Sequence, residues 1–106
     1  MSEWKTNTDL ESFLALIHAI SRLEKELPGW WWSCGQCHVT SDASIGPDRN
    51  GKDAELLKYE EFDAGFHADI PLPSTVAEAL NEAIDKAVEA RDYFFETSGR
   101  MATSLT

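Results

Sequence analysis

At Pro28 and Gly29 the spacing of apolar residues changes period, and no single element can run through the change. Upstream, Leu10, Phe13, Leu14, Ile17 and Ile20 recur at three- and four-residue intervals, with Leu23 and Leu27 continuing the stripe. That is the spacing of one face of an α-helix. Thr8 and Glu11 stand three apart at its start, so the hydroxyl can accept from an orphan amide while the carboxylate reaches back to the cap. The pattern predicts a helix over 8–27. Proline then removes a donor and glycine supplies conformational freedom, which releases the chain from the helix.

Downstream of the break, Trp30, Trp31, Trp32, Cys34, Val39 and Thr40 favour extended backbone and predict a strand over 30–39. A second extended piece, 41–45, either continues that strand or folds back on it. Residues 46–63 hold Gly46, Pro47, Asp48, Asn50, Gly51 and Asp53, a loop composition with one helical turn at Leu56 and Leu57. Phe66, Ala68 and Ile70 alternate with His67 and Asp69, the period of a half-buried strand over 64–70, closed by Pro71 and Pro73. Thr75 and Glu78 repeat the capping box, and Ala77, Leu80, Ala83, Ile84, Ala87 and Val88 follow at helical spacing, which predicts a helix over 75–95.

This order reads as one α+β domain over 1–96: a small antiparallel sheet of two to three strands, covered by two long amphipathic helices, α-β-β-α. Residues 97–106 are mostly small and polar and are expected to form a disordered tail. A sheet this small is marginal alone, so it requires helix cover or pairing in a homodimer.

Charge narrows the partners. Nine Lys and Arg against nineteen Asp and Glu leave a net charge of −10, spread along the chain with no separable acidic tail. Such a surface repels phosphate backbones, so direct nucleic-acid binding is not expected. Apolar runs fall short of the ~20 residues that cross a bilayer, and no basic amphipathic face is present to hold anionic lipid. Glu3, Asp9 and Glu11 precede Phe13, unlike the basic start of an export signal. A cytoplasmic location with reduced cysteines is therefore the expectation.

The strings Leu27-Pro28-Gly29-Trp30-Trp31-Trp32-Ser33, Asp42-Ala43-Ser44-Ile45-Gly46-Pro47-Asp48 and Gly65-Phe66-His67-Ala68-Asp69-Ile70-Pro71, before a capped Ala/Glu-rich helix, resemble small bacteriophage- and prophage-encoded proteins. The layout is similar to phage proteins described as α-β-α sandwiches. The resemblance covers roughly residues 27–91. It implies a phage or prophage origin and a bacterial host cytoplasm, and it carries no activity or site residues.

Cys34-Gly35-Gln36-Cys37-His38 matches the attachment motif of c-type haem. Attachment requires export, and the motif falls where a strand is expected, so haem is not. Cys34, Cys37, His38 and His67 are ligand types suited to zinc, but in a regular strand Cys37 points away from Cys34 and His38 unless a bulge at Gly35 intervenes. The alternative to metal is two small buried hydrophobes. A thioredoxin-like role fits less well, because there the motif opens a helix. His18 reads as a helix-flank residue. Asp48, Asn50 and Asp53 lack the glycine and terminal glutamate of a calcium loop. No nucleophile motif or phosphate loop is present.

Two surfaces remain. Trp30 and Trp32 should share one strand face with Trp31 on the other, so an aromatic patch is one candidate for partner binding. Glu78, Glu82, Asp85, Glu89, Asp92 and Glu96 fall four, three, four, three and four apart, one carboxylate stripe spanning ~27 Å of helix. Such a stripe is either the solvated back of the helix or a mimic of nucleic-acid phosphates. The leading reading is a non-enzymatic, cofactor-free acidic protein-binding module of a phage or prophage. The alternative is a small zinc or redox protein built on Cys34, Cys37 and His38.

Overall fold

The computed structural model describes residues 10–105, with side chains described as far as residue 97. The chain forms α1 (Leu10–Glu26), β1 (Trp31–Gln36), β2 (Thr40–Gly46), a 3-10 turn (Ala54–Lys58), α2 (Glu60–Ala64), β3 (Phe66–Pro71) and α3 (Val76–Leu105). The architecture is α+β, with all three strands antiparallel in the order β1-β2-β3. The second extended piece therefore folds back as its own strand. The Thr8 half of the first capping box lies outside the described residues.

The hairpin between β1 and β2 turns on His38 and Val39, with Cys37 N–H donating to the Thr40 carbonyl at 2.9 Å. A two-residue hairpin loop favours positive φ at both central positions. No described non-glycine residue adopts positive φ. Instead the Cys37 sulfur accepts the Val39 and Thr40 amides, each at 3.4 Å, and supplies the acceptor that closes the turn.

Register decides which side chains share a face. Trp32, Cys34 and Gln36 lie opposite Ile45, Ala43 and Ser41, which in turn lie opposite Phe66, Ala68 and Ile70. This face meets α3. Ala43 and Ala68 on the sheet and Ala79, Ala83 and Ala87 on the helix are all buried, and their small side chains let helix and sheet approach closely. Leu23, Leu27, Trp30, Ile45, Leu56, Leu80 and Ile84 are the large side chains packed with them. Phe62 of α2 meets Phe66 edge-on at 5.6 Å and Phe94 at 5.8 Å, so the short helix closes the end of the core.

The second capping box forms as expected. Thr75 N–H donates to Glu78 Oε1 at 2.9 Å, and Glu78 N–H donates to Thr75 Oγ1 at 3.3 Å. The Ser74 carbonyl before it accepts from Gln36 Nε2 and Ser41 Oγ, which ties the helix start to the sheet. α3 continues to Leu105, beyond the expected end near residue 95 and through most of the expected tail. Ser98 and Gly99 are weak helix formers, but neither removes a backbone donor as proline does.

The expected single stripe of α1 separates into two. Ser12, Ala19, Leu23 and Leu27 are buried, with α1 packed along α3. Leu10, Phe13, Leu14 and Ile17 are 70%, 51%, 47% and 42% exposed. At 100° per residue the exposed set is centred roughly a third of a turn from the buried one. Spacing by threes and fours admits both sets, and only packing distinguishes them. Arg22 joins the helices: it donates to Glu26, to Asn81 Oδ1 at 3.0 Å and to Asp85 Oδ1 at 2.6 Å.

Candidate functional site

The sheet face away from α3 is built in rows. Trp31 lies opposite Gly46, Ser33 opposite Ser44, and Gly35 opposite Asp42, while Ser44 and Asp42 lie opposite His67 and Asp69 on β3. In the first row a Cβ on Gly46 would fall 2.7–2.8 Å from three indole atoms of Trp31, and one on Gly65 would fall 3.3 Å from Cζ2. Three ring atoms at one distance place the indole face-on across Gly46. The glycine therefore serves as the floor for a flat aromatic ring, and Trp31 is 39% exposed.

Beside that ring is a cleft of about 350 Å³ lined by Trp31, Pro47, Asp48, Arg49, Leu57 and Asp63. Four elements build it: β1 gives the ring, the loop after β2 gives residues 47–49, the 3-10 turn gives Leu57, and α2 gives Asp63. Asp48 Oδ1 accepts the Asn50 amide at 2.8 Å, a local turn that fixes the carboxylate. No ion pair joins Arg49 to either acid among the described residues. The cleft is thus mainly polar, with two carboxylates, one guanidinium and Trp31 at its border.

In the middle row Ser44 Oγ lies 2.8 Å from His67 Nδ1, and His67 Nε2 lies 3.2 Å from the Ala64 carbonyl. A carbonyl can only accept, so Nε2 carries a proton, and in the neutral ring Nδ1 accepts from the Ser44 hydroxyl. Lys86 Nζ donates to the His67 carbonyl at 2.7 Å, so that carbonyl points off the sheet edge toward α3.

The tryptophans divide by environment. Trp30 is only 6% exposed, its Nε1 donates to Asp53 Oδ2 at 2.8 Å, and its ring stacks on Phe66 at 6.3 Å. It is a core residue, which corrects its place among candidate contact residues: the Pro28–Gly29 turn brings it under the 46–58 segment. Trp32, 38% exposed, lies on the α3 side of edge strand β1, and among the described tryptophans Trp31 alone lies on the open face.

The six carboxylates of α3 are all exposed. Several are already engaged. Asp85 pairs with Arg22 at 2.6 Å, Glu82 with Lys86 at 3.7 Å and Asp92 with Arg91 at 3.2 Å, while Glu78 closes the capping box. The proximity of Asp85, and secondarily Glu26, raises the Arg22 pKa above its ordinary value. Glu89 lines a shallow groove with Phe66, Lys86, Ala90 and Tyr93.

Cys34 is half-buried on the α3 side of β1, whereas Cys37 and His38 are exposed on the hairpin turn and His67 is on the open face. Among the described residues no group of three or more His, Cys, Asp or Glu is arranged to hold a metal ion. The fold thus puts Cys34, the Cys37–His38 turn and His67 in three separate places. Burial and, secondarily, Asp42 push the Cys34 thiol up. The Thr40 hydroxyl first, then the Val39 and Thr40 amides, hold Cys37 below the usual thiol range. Asp53, considered for calcium, is committed to Trp30. Among the described residues no helix is long and apolar enough to cross a membrane.

Arg49 and Asp63 were not singled out from the sequence. They flank the cleft only because α2 folds back beside the loop after β2, and no local spacing signals that. The Ser44–His67 pair depends on the β2–β3 register, which alternation in β3 alone does not set. No family model matches the chain, and comparison with curated proteins and with solved structures finds no similar protein.

Proposed function

We propose that this chain is a non-enzymatic protein-binding module that receives a basic segment of its partner at the Trp31 cleft. The observation that carries the reading is that the exposed Trp31 borders Asp48 and Asp63 in one cleft. An arginine or lysine head over an exposed indole face gains attraction from the ring quadrupole, and flanking carboxylates strengthen it. Arg49 at the rim can hold a carbonyl or carboxylate of the same peptide. The net charge of −10 draws a basic partner from a distance, which raises the association rate at low salt.

The acidic stripe of α3 serves this reading less well, because Glu78, Glu82, Asp85 and Asp92 already have partners. It contributes to the overall field rather than to a docking site. In the phage or prophage setting that the resemblance implies, the partner is a host or phage protein in the bacterial cytoplasm.

Fluorescence anisotropy with a labelled arginine-rich peptide tests the proposal. Binding should weaken at least ~5-fold in Trp31→Ala and in Asp63→Asn, a loss of about 1 kcal/mol or more. Glu82→Gln with Glu89→Gln should change it less than either. The reverse ranking would move the site to α3 and overturn the proposal.

A further inference from the structure

We infer that the exposed apolar stripe of α1 is a self-association surface on which two copies of this chain pair about a two-fold axis. The inference is independent of the Trp31 cleft, which lies on a different element. Leu10, Phe13, Leu14 and Ile17 are four large apolar side chains on one helical stripe, and none belongs to the core. From their fractional exposures and the usual areas of such side chains, they present roughly 400 Å² to solvent. That is within the range of the largest patch on a typical monomer, about 300–600 Å² and often functional.

The order of the residues suits a second copy as the occupant. The spacing is three, one, three, which reads the same in both directions. When two such helices cross antiparallel, Leu10 meets Ile17 of the partner copy and Phe13 meets Leu14 of the partner copy. Both contacts are then repeated by symmetry, as a two-fold interface requires.

Charge points the same way. In a chain of net charge −10, residues 10–21 hold a single formal charge, Glu11. Copies meeting elsewhere would press acidic faces together, whereas this stripe brings apolar surface into contact with little repulsion. Two stripes bury about 800 Å², below the 1,200–2,000 Å² of standard stable interfaces, so the dimer is weak and concentration-dependent.

Sedimentation velocity on the full chain from about 5 to 500 μM tests the inference. The weight-average mass should climb toward that of a dimer, and added salt should promote the climb by screening the like charges. Phe13→Glu should abolish it while circular dichroism and the unfolding midpoint stay near wild type, because Phe13 is 51% exposed and outside the core. Register is tested by mixing Leu10→Lys with Ile17→Glu. A mixed pair has one Lys–Glu contact and one intact Leu10–Ile17 contact, so the mixture should associate more strongly than either variant alone. A wild type that stays monomeric throughout, a dimer that survives Phe13→Glu, or a mixture no stronger than its components would each overturn the inference.

Discussion

Trp31 lies face-on across Gly46, its opposite residue on β2, with three ring atoms 2.7–2.8 Å from where a Cβ would stand. The backbone at Gly46 does not adopt positive φ, so the reason for glycine is space. Gly46→Ala must lift the ring or bend the strand, and it should destabilise by about 1–3 kcal/mol. In a Trp31→Ala background the same change should cost less than about 1 kcal/mol. Urea unfolding midpoints across the four-member cycle measure the coupling. Equal costs in both backgrounds would mean that the ring does not rest on Gly46.

Asp53 holds a different tryptophan. Its Oδ2 accepts the Trp30 indole N–H at 2.8 Å in a buried site. Asp53→Ala leaves that donor unsatisfied and should cost about 1–3 kcal/mol, whereas Asp53→Asn keeps an oxygen acceptor and should cost less. Thermal denaturation of the two variants orders them, and an alanine variant as stable as wild type would show that the bond contributes nothing net.

The hairpin turn makes one cysteine more acidic than the other. The Thr40 hydroxyl and the Val39 and Thr40 amides favour the Cys37 thiolate, while burial disfavours that of Cys34. Iodoacetamide should label Cys37 first, with a rate midpoint below that of an ordinary thiol. Thr40→Val should move the midpoint up. Because the folded-state pKa of Cys37 is depressed, its ionisation stabilises the fold above the unfolded thiol pKa, and that contribution is lost as pH falls through the folded value. Thr40→Val should therefore be more destabilising at alkaline pH than at neutral pH. Peptide mass spectrometry after timed labelling identifies the first cysteine, and preferential labelling of Cys34 would contradict the turn geometry.

Local signals located most of the scaffold. Pro28–Gly29, the Thr75–Glu78 box and the alternation from Phe66 to Ile70 each act within a few residues, and the boundary nearest each signal falls within two residues of where it is expected. Signals that need two distant segments were not legible. The same threes and fours place Leu23 in the core and Phe13 in solvent, because the sequence of α1 does not state which side α3 covers. Trp30 and Trp31 are neighbours of one residue type, yet Asp53 encloses one and Gly46 exposes the other. Asp63 enters the cleft through the return of α2, and Ser44 meets His67 through a strand register. The acidic stripe was visible as spacing, but its ion pairs with Arg22, Lys86 and Arg91 depend on packing and rotamers.

The central claim places a basic group against the exposed ring of Trp31. The direct measurement follows the indole N–H signals of the four tryptophans in a ¹H–¹⁵N spectrum while a short arginine-rich peptide is added. The Trp31 signal, assigned with Trp31→Phe, should shift progressively and saturate, the buried Trp30 signal should stay nearly fixed, and added salt should weaken the effect. A saturable shift that leaves Trp31 unmoved, or no shift at any peptide concentration, would contradict the account.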